Sequence, residues 1–262
     1  AQYLQYWLLQ NTPVFNAVKS HYKKNTQWKS DLEQAWGNLQ QEIPSTPQAN
    51  VYGYLSQFSN YNTFVDTFIN PKSDHQEVIL AFSEEMFLND TFPPYALLEM
   101  PPFFNRYNGS DQVASQLMWN YLKMRFEPTH KRSNMLEEMM FQGKLWYSLM
   151  ALFPDRNPWE LLGYDEKEWK WMMKEEGQIW KHFLDNKLLF STKFNDYKRY
   201  FAFGNKTFGG GVPEDCPPLI GNFIGMRIAQ TFAAKNDANL DQIWRNVNAN
   251  QFLQASTYNP IK

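Results

Sequence analysis

Apolar residues recur at intervals of three and four positions early in the chain. Between Thr26 and Pro44 these positions are Leu32, Ala35, Trp36, Leu39 and Ile43, which is the spacing of an amphipathic helix. A proline ends such a helix, because it lacks the backbone N–H and its ring disfavours a helical residue before it. The pattern predicts an early packing helix that stops at Pro44.

The next hundred residues are less regular. Segment 47–71 mixes aromatic residues with Asn, Ser and Gln between prolines, a pattern compatible with either a helix or short strands. Segment 77–90 is apolar enough to be buried, and the proline-rich segment 93–103 is expected to be an irregular connection.

Capping signals mark the helices of the second half. A Ser, Asp or Asn that precedes an apolar-periodic run by one residue, with Glu three positions later, is typical of a helix start. The predicted helices begin at Ser110 or Asp111 and run to Phe126, at Asn134 with Glu137, at Asp165 with Glu168, and near Ile220 to reach about Ala234. No internal repeat, long heptad run or strand–helix alternation typical of a parallel sheet occurs. The chain is predicted to be a single, mainly α-helical domain over 1–262.

A glycine interrupts one of these predicted helices. Gly143 lies in the sequence 139-MMFQGKLWYSLMALFPD-155, and glycine in a helix interior costs roughly 1 kcal/mol relative to alanine. We therefore expect a close backbone approach, a kink or a position beside a site at Gly143.

Composition limits the class of function. The chain has 43% hydrophobic and 17% aromatic residues and a formal net charge of −2, with no long run of like charge. This predicts a globular protein without a nucleic-acid interface. The most apolar runs, 145–153 and 219–234, are respectively too short and too polar to span a bilayer. The absence of a starting Met and of a signal-like segment suggests a mature or trimmed fragment.

Common catalytic and metal-binding motifs are absent. HExxH, GxSxG, GxxxxGK[ST] and GxGxxG do not occur, the four histidines are isolated, and Cys216 is the one cysteine. We therefore expect no metal, no cofactor, a packing role for Cys216, and histidines that are exposed or hydrogen-bonded.

Acidic doublets and tryptophans keep two alternative functions open. The pairs at 84–85, 137–138 and 175–176 are expected on solvated faces, but Glu85 and Glu138 converging in a cleft would suit a carboxylate-dependent hydrolase. Exposed tryptophans would suit a carbohydrate-binding module. The indoles in helical segments, Trp169, Trp171, Trp180 and Trp244, are expected to pack in the core instead.

The segments 78–107, 135–155, 161–193, 217–236 and 251–260 together resemble the gliding-motility lipoprotein GldB family of Bacteroidetes, most specifically in QGK at 142–144 and in LLGY…W…IW from Leu161. The resemblance is strongest over 75–260. It implies a cell-envelope lipoprotein of gliding and type IX secretion with no established enzymatic activity. It also implies a lipid anchor outside this chain, attachment to the periplasmic face of the outer membrane, and partners in a multi-protein complex.

The family is in turn similar to predicted zinc peptidases, which carry HExxH on one helix and a glutamate–glycine pair on another. This similarity implies a zincin-like (gluzincin-like) architecture in which Gln142 replaces the metal-binding glutamate and Gly143 lets the two helices approach. Trp119 and Lys123 would replace the histidines of HExxH, and Asn120 its glutamate. Because these residues cannot bind zinc or take a proton from water, the resemblance implies a non-catalytic protein. The predicted partner-binding cleft consists of Trp119, Asn120, Lys123, Glu138, Gln142 and Gly143; should zinc bind after all, His75, His130 and His182 would be the first ligands to consider.

Overall fold

The computed structural model describes residues 2–58, 62–89, 92–97, 99, 106–204, 206–246 and 248–261. Within these residues most of the ordered backbone is helical, which confirms the prediction of a mainly α-helical protein. The α-helices are α1 Gln2–Lys24, α2 Gln27–Glu42, α3 Pro93–Leu97, α4 Val113–Phe126, α5 Met135–Leu152, α6 Pro158–Leu161, α7 Glu166–Asp185, α8 Phe194–Tyr197, α9 Ile220–Asn236, α10 Leu240–Arg245 and α11 Ala249–Ser256. The strands are β1 Gln48–Tyr54, β2 Thr63–Asn70 and β3 His75–Ser83.

The chain divides into two compact units. The N-terminal unit contains residues 1–40 and 44–124, and the C-terminal unit contains residues 41–43 and 125–262. The single domain expected over 1–262 stays a prediction. None of the helices in the described part of the chain is long and apolar enough to cross a membrane.

The sheet of the N-terminal unit has the strand order β1-β3-β2. β1 runs parallel to β3, with Gln48 opposite Glu77 and Tyr54 opposite Ser83, and β2 runs antiparallel to β3 on its other side. The sequence shows no strand–helix alternation and so did not indicate the parallel pair of β1 and β3. The sequence pattern for a parallel pair is weak here because the connection from β1 to β3 contains a strand instead of a helix. In addition, the side chains of β1 and β2 are exposed or half-buried.

α2 has the bounds and the buried face that the sequence predicts. Trp28, Leu32, Ala35, Trp36 and Leu39 are buried, as expected from their spacing on one side of a helix. The helix ends at Glu42, two residues before Pro44.

Three further predictions concern the segments before, within and after β3. Segment 47–71, which is compatible with a helix or short strands, contains both β1 and β2. Val78, Leu80 and Phe82 of β3 are buried, as predicted for 77–90. The irregular connection expected at 93–103 instead begins with the short helix α3, and its residues 98 and 100–103 lie outside the described residues.

The helices of the C-terminal unit begin where their caps predict. Asp165 and Glu168 form a complete capping box, since each side chain accepts a hydrogen bond from the other residue's backbone N–H, at 2.8 and 3.0 Å. Asn134 accepts from Glu137 N at 3.0 Å, but the Glu137 carboxylate accepts from Ser133 N at 2.7 Å, so this box is only half formed. The predicted helix near Ile220 is α9.

Candidate functional site

The N-terminal unit contains a groove of about 530 Å³ between α2 and the sheet. One wall is a polar stripe along α2, and the other is β1, mainly the face that carries Ala49, Val51 and Gly53. The residues of the α2 wall are Lys29, Glu33, Gly37 and Gln40, and those of the β1 wall are Gln48, Ala49, Val51 and Gly53. A Cβ added at Gly37 would meet nothing within 4 Å, so the groove is open at this point.

Aromatic side chains form the floor of the groove. The ring centroids of Trp28 and Phe82 are 4.9 Å apart, and those of Tyr22 and Phe82 are 5.8 Å apart, both in edge-to-face geometry. The Tyr22 hydroxyl donates a hydrogen bond to the Glu84 carbonyl at 3.2 Å. This packing holds the three rings in place and gives the groove a preformed apolar floor.

The strand that borders the groove lies at the edge of the sheet. In the ladder Val51 is opposite Leu80 and Gly53 is opposite Phe82, so these four residues face the same side. β1 pairs with β3 on one side and has no strand neighbour on the other within the described sheet. Edge strands present N–H and C=O groups that an added strand can pair with.

Two polar groups of the groove are unusually placed. The Trp28 indole is 8% exposed, and its Nε1 has no hydrogen-bond partner among the described residues. The pKa of Glu84 is raised, chiefly because the carboxyl is partly buried and also because Glu85 is close, while Lys29 opposes the shift. A buried donor without an acceptor is costly, and a carboxyl group with a raised pKa in a groove is typical of a binding site.

Three of the six predicted cleft residues lie on α4 in the N-terminal unit. Asn120 Nδ2 donates to Thr63 Oγ1 and, at 3.1 Å, to the Gln116 carbonyl. The Lys123 ammonium lies 5.1 Å from the centroid of the Trp119 ring. Asn120 thus ties α4 to β2, while Trp119 and Lys123 form a half-buried cation–π pair.

The other three predicted cleft residues lie on α5 in the C-terminal unit. Gln142 Nε2 donates to Glu138 Oε1 at 2.8 Å, and the Glu138 carboxylate also pairs with Arg132. The Arg132 guanidinium is 4.3 Å from the centroid of the Phe141 ring. The structure thus brings Glu138 and Gln142 together, and a single cleft lined by all six residues stays a prediction.

Gly143 marks a helix crossing, as its position in the sequence suggests. A Cβ on Gly143 would lie 2.0 Å from the carbonyl carbon of Gly225, and a Cβ on Gly225 would lie 2.0 Å from the Met139 carbonyl oxygen. The backbones of α5 and α9 therefore touch. The close approach is confirmed, and the residue that meets Gly143 is Gly225 of α9; an approach to the segment 119–123 stays a prediction.

Lys144 is a buried cation to which the sequence pattern assigned no role. Its Nζ donates to the Asn246 carbonyl at 2.5 Å and lies 4.4 Å from the Phe252 ring centroid and 5.9 Å from that of Trp244. Burial lowers the pKa of Lys144 to about 7. The sequence signal for a buried lysine was its position next to Gly143 in an otherwise apolar stretch.

Two of the acidic doublets differ from their predicted solvated faces. Glu85 is fully buried, and its Oε1 accepts from Ser56 N at 2.5 Å, Ser56 Oγ at 2.8 Å and Phe58 N at 3.2 Å. Glu176 is also buried; its Oε1 accepts from Arg227 Nε and from the Tyr258 hydroxyl, both at 2.9 Å. The solvated-face prediction is wrong for both, because each carboxylate has donors that compensate for its loss of water. Glu85 Oε1 is held by backbone and hydroxyl donors, which indicates a structural role, while its Oε2 is buried without a partner among the described residues.

The described residues hold no group of three or more His, Cys, Asp or Glu that could bind a metal ion. His75 and His130 are exposed, and His182 Nε2 shares a 2.8 Å hydrogen bond with the Tyr200 hydroxyl, as predicted for isolated histidines. His21 differs, since its Nε2 is buried without a partner in this part of the chain. The packing role of Cys216 is confirmed: the thiol is buried, and burial raises its pKa to about 11.

The tryptophans are mainly structural. Trp180 and Trp244 are buried, as predicted, while Trp169 and Trp171 are half-buried. Among the side chains that the structure describes, every tryptophan is buried or half-buried. The flat row of exposed indoles expected of a carbohydrate-binding module is therefore absent from this part of the chain.

Comparison with known proteins identifies the family of this chain. A family model described as gliding motility protein GldB matches residues 3–260, which extends the resemblance seen over 75–260 through the N-terminal helices. No curated protein and no solved structure matches the chain.

Proposed function

The chain belongs to the family of gliding motility protein GldB, and from this premise we propose that it is an envelope lipoprotein that works by binding other proteins and not by catalysis. The surface that we assign to this role is the groove between α2 and β1. Its occupant is an extended segment of a partner protein that lies along the edge of β1.

The observation that carries this proposal is the edge strand β1, which has no strand neighbour on its outer side within the described sheet and borders a groove with a preformed aromatic floor. Apolar side chains of a bound segment would cover the aromatic floor formed by Tyr22, Trp28 and Phe82. The edge of β1 supplies backbone donors and acceptors for the same segment, which is the mode of strand addition. The groove is also large enough for several side chains, at about 530 Å³.

The cellular setting follows from the family and belongs to the same proposal. We place the protein on the periplasmic face of the outer membrane, held by a lipid anchor, in a complex that serves gliding or type IX secretion. The family's description as a gliding motility protein supports an envelope complex. The lipid anchor, the secretion system and the partners rest on the resemblance to the lipoprotein family.

The proposed lack of catalysis rests on chemistry at the positions of the peptidase motif. If 119–123 corresponds to HExxH, Asn120 occupies the place of the general base, and an amide cannot accept the proton of a zinc-bound water. The relation to zinc peptidases and the zincin-like architecture stay predictions from the resemblance.

A pair of variants at one position tests the proposal. Gly37→Leu places a bulky side chain in the groove, and Gly37→Ala adds one methyl group at the same site; neither has a contact to displace at Cβ. Both replacements favour the helix, because glycine is a poor helix former. We expect Gly37→Leu to lose binding of the envelope partner and to impair gliding when it replaces the native protein, while Gly37→Ala keeps both. Equal partner binding by the two variants would overturn the assignment to the groove.

A further inference from the structure

Four phenylalanines of the C-terminal unit are exposed to solvent. Phe190 is 62% exposed, Phe194 61%, Phe203 47% and Phe208 70%. All four fall within residues 187–208, on loops and at the start of α8. Single exposed apolar residues are common on soluble proteins, but several large exposed side chains in one short segment indicate an interaction surface.

The chain next to these phenylalanines is firmly held. Leu189 is buried, and its carbonyl accepts a hydrogen bond from Leu136 N at 2.9 Å. Thr207 is also buried; its N donates to the Cys216 carbonyl at 3.0 Å and its Oγ1 to the Pro217 carbonyl at 2.7 Å. Phe190 and Phe208 directly follow these anchored residues. Their exposure is therefore set by the backbone of the folded unit.

A turn of three glycines completes the presentation of Phe208. Gly209, Gly210 and Gly211 have φ values of 71°, 70° and 83°, a left-handed conformation that glycine adopts without strain. A Cβ at Gly209 would lie 3.0 Å from Arg199 Nη1. The turn thus packs against Arg199 and directs the chain back after Phe208.

Basic residues alternate with the exposed phenylalanines. Between 187 and 208 the chain has five basic residues and one acidic residue, a net of +4, whereas the whole chain has a net charge of −2. The acidic residue, Asp196, accepts a hydrogen bond from Ser191 Oγ at 2.7 Å. Farther along, Asp215 accepts from Trp171 Nε1 at 2.9 Å, and Glu214 is exposed beside it. The basic residues are Lys187, Lys193, Lys198 and Lys206, which are exposed, and Arg199, which is half-buried.

We propose that this Phe–Lys surface, made of the four exposed phenylalanines and the four exposed lysines, docks on a lipid bilayer that carries anionic headgroups. The phenylalanines would enter the boundary between headgroups and acyl chains, and the lysines would lie at the level of the phosphates. The surface is distinct from the groove and does not depend on the function proposed for the groove.

The composition of the surface favours a bilayer over a protein partner. Protein–protein interfaces are enriched in aromatic residues and arginine but depleted in lysine. Lysine beside phenylalanine is instead typical of interfacial membrane binding, where each basic residue near an anionic surface adds to the attraction. The net positive charge of the segment is complementary to such a bilayer.

Vesicle sedimentation with the full 262-residue chain tests this proposal. The two probes are vesicles of phosphatidylcholine alone and vesicles in which phosphatidylglycerol replaces about a third of the lipid. We expect binding to the anionic vesicles, weaker binding as salt is raised, and little binding to the neutral ones. Absence of binding to the anionic vesicles, or equal binding to both kinds, would overturn the proposal.

Matched variants assign the binding to the Phe–Lys surface. Two sets of replacements, of three phenylalanines by serine and of four lysines by glutamine, are each expected to lower the partition coefficient by about tenfold or more. Two controls make similar changes on exposed residues elsewhere and should leave it unchanged. Equal effects of test and control sets would contradict the assignment. The test sets are Phe190→Ser, Phe194→Ser and Phe208→Ser, and Lys187→Gln, Lys193→Gln, Lys198→Gln and Lys206→Gln; the control sets are Phe64→Ser with Ile69→Ser, and Lys167→Gln, Lys170→Gln, Lys174→Gln and Lys181→Gln.

Discussion

Gly143 of α5 and Gly225 of α9 meet backbone to backbone, with the Gly143 Cα only 3.0 Å from the point where a Cβ of Gly225 would lie. No side chain can be inserted between them unless the two helices move apart. Both helices carry largely buried faces, so such a movement would open the core of the C-terminal unit.

Alanine at either glycine is therefore expected to destabilise the protein. We predict that Gly143→Ala and Gly225→Ala each lower the free energy of unfolding by about 3 kcal/mol or more, because the added methyl group overlaps backbone atoms that cannot rotate away. Urea unfolding measures this loss. Gly37→Ala is the matched control, since its methyl group meets open space and should raise the stability by up to about 1 kcal/mol. A similar small effect at all three glycines would contradict the close crossing.

The sequence indicated a close contact at Gly143 but did not identify Gly225 as its partner. Gly143 stands out because it interrupts a strongly apolar helix, whereas Gly225 lies in the sequence 220-IGNFIGMRIAQ-230, where it is one of two glycines. Which residue meets Gly143 depends on the packing of α5 against α9, and neither helix carries a local signal for it.

Lys144 predicts an unusual dependence of stability on pH. Its pKa is lowered from 10.5 to about 7 by burial, so between these values the unfolded chain binds a proton that the folded chain does not. The free energy of unfolding therefore rises with pH in this range. Below pH 7 the buried ammonium is charged, and the free energy of unfolding is lowered by the full cost of burying that charge.

The comparison of wild type with Lys144→Met isolates this effect, because the other titrating groups are common to both proteins. We predict that wild type gains about 2 kcal/mol relative to Lys144→Met between pH 7 and pH 9. Urea unfolding across this range gives the difference directly. A difference that does not change with pH would show that Lys144 keeps its ordinary pKa in the folded protein.

Glu85 is predicted to stabilise the N-terminal unit. Glu85→Gln keeps the shape of the side chain but replaces a carboxylate that accepts three hydrogen bonds, and it should lower the free energy of unfolding by about 2 kcal/mol. Glu84→Gln, at the neighbouring half-buried position, should have a much smaller effect. Unfolding curves of the two variants that coincide would contradict the structural role of Glu85.

The inward position of Glu85 shows where sequence periodicity fails. In a regular strand or helix the doublet at 84–85 would leave at least one carboxylate in water, but a 3₁₀ turn over Glu84–Phe87 follows β3 and turns Glu85 inward. By contrast, α2, α5, α7 and α9 were predictable because local capping residues or proline define at least one end of each. The groove was not predictable, since it joins the polar stripe of α2 to β1 through a sheet register that no short segment specifies.

The six-residue cleft predicted from the resemblance has its own test. If Trp119 and Gln142 contact a partner, the double replacement Trp119→Ala and Gln142→Ala should reduce recovery of that partner from the envelope. Because both side chains are half-buried, we expect the double replacement to cost only a modest amount of stability. Thermal unfolding of the variant checks that it is folded. Unchanged recovery would contradict the predicted cleft, and a loss with Gly37→Leu alone would assign binding to the groove.

Site-specific photo-cross-linking from the groove shows directly whether an extended segment of a partner protein binds there. A photoreactive amino acid at Gly37 or at Val51, in the protein expressed in its native envelope, should form a covalent adduct whose mass spectrum maps to one short segment of a partner protein. The same residue at Met173, an exposed position on α7 in the C-terminal unit, should not give that adduct. We predict that both groove positions become linked to one continuous segment of the same partner. Adducts at Met173 with none at Gly37 and Val51 would contradict it.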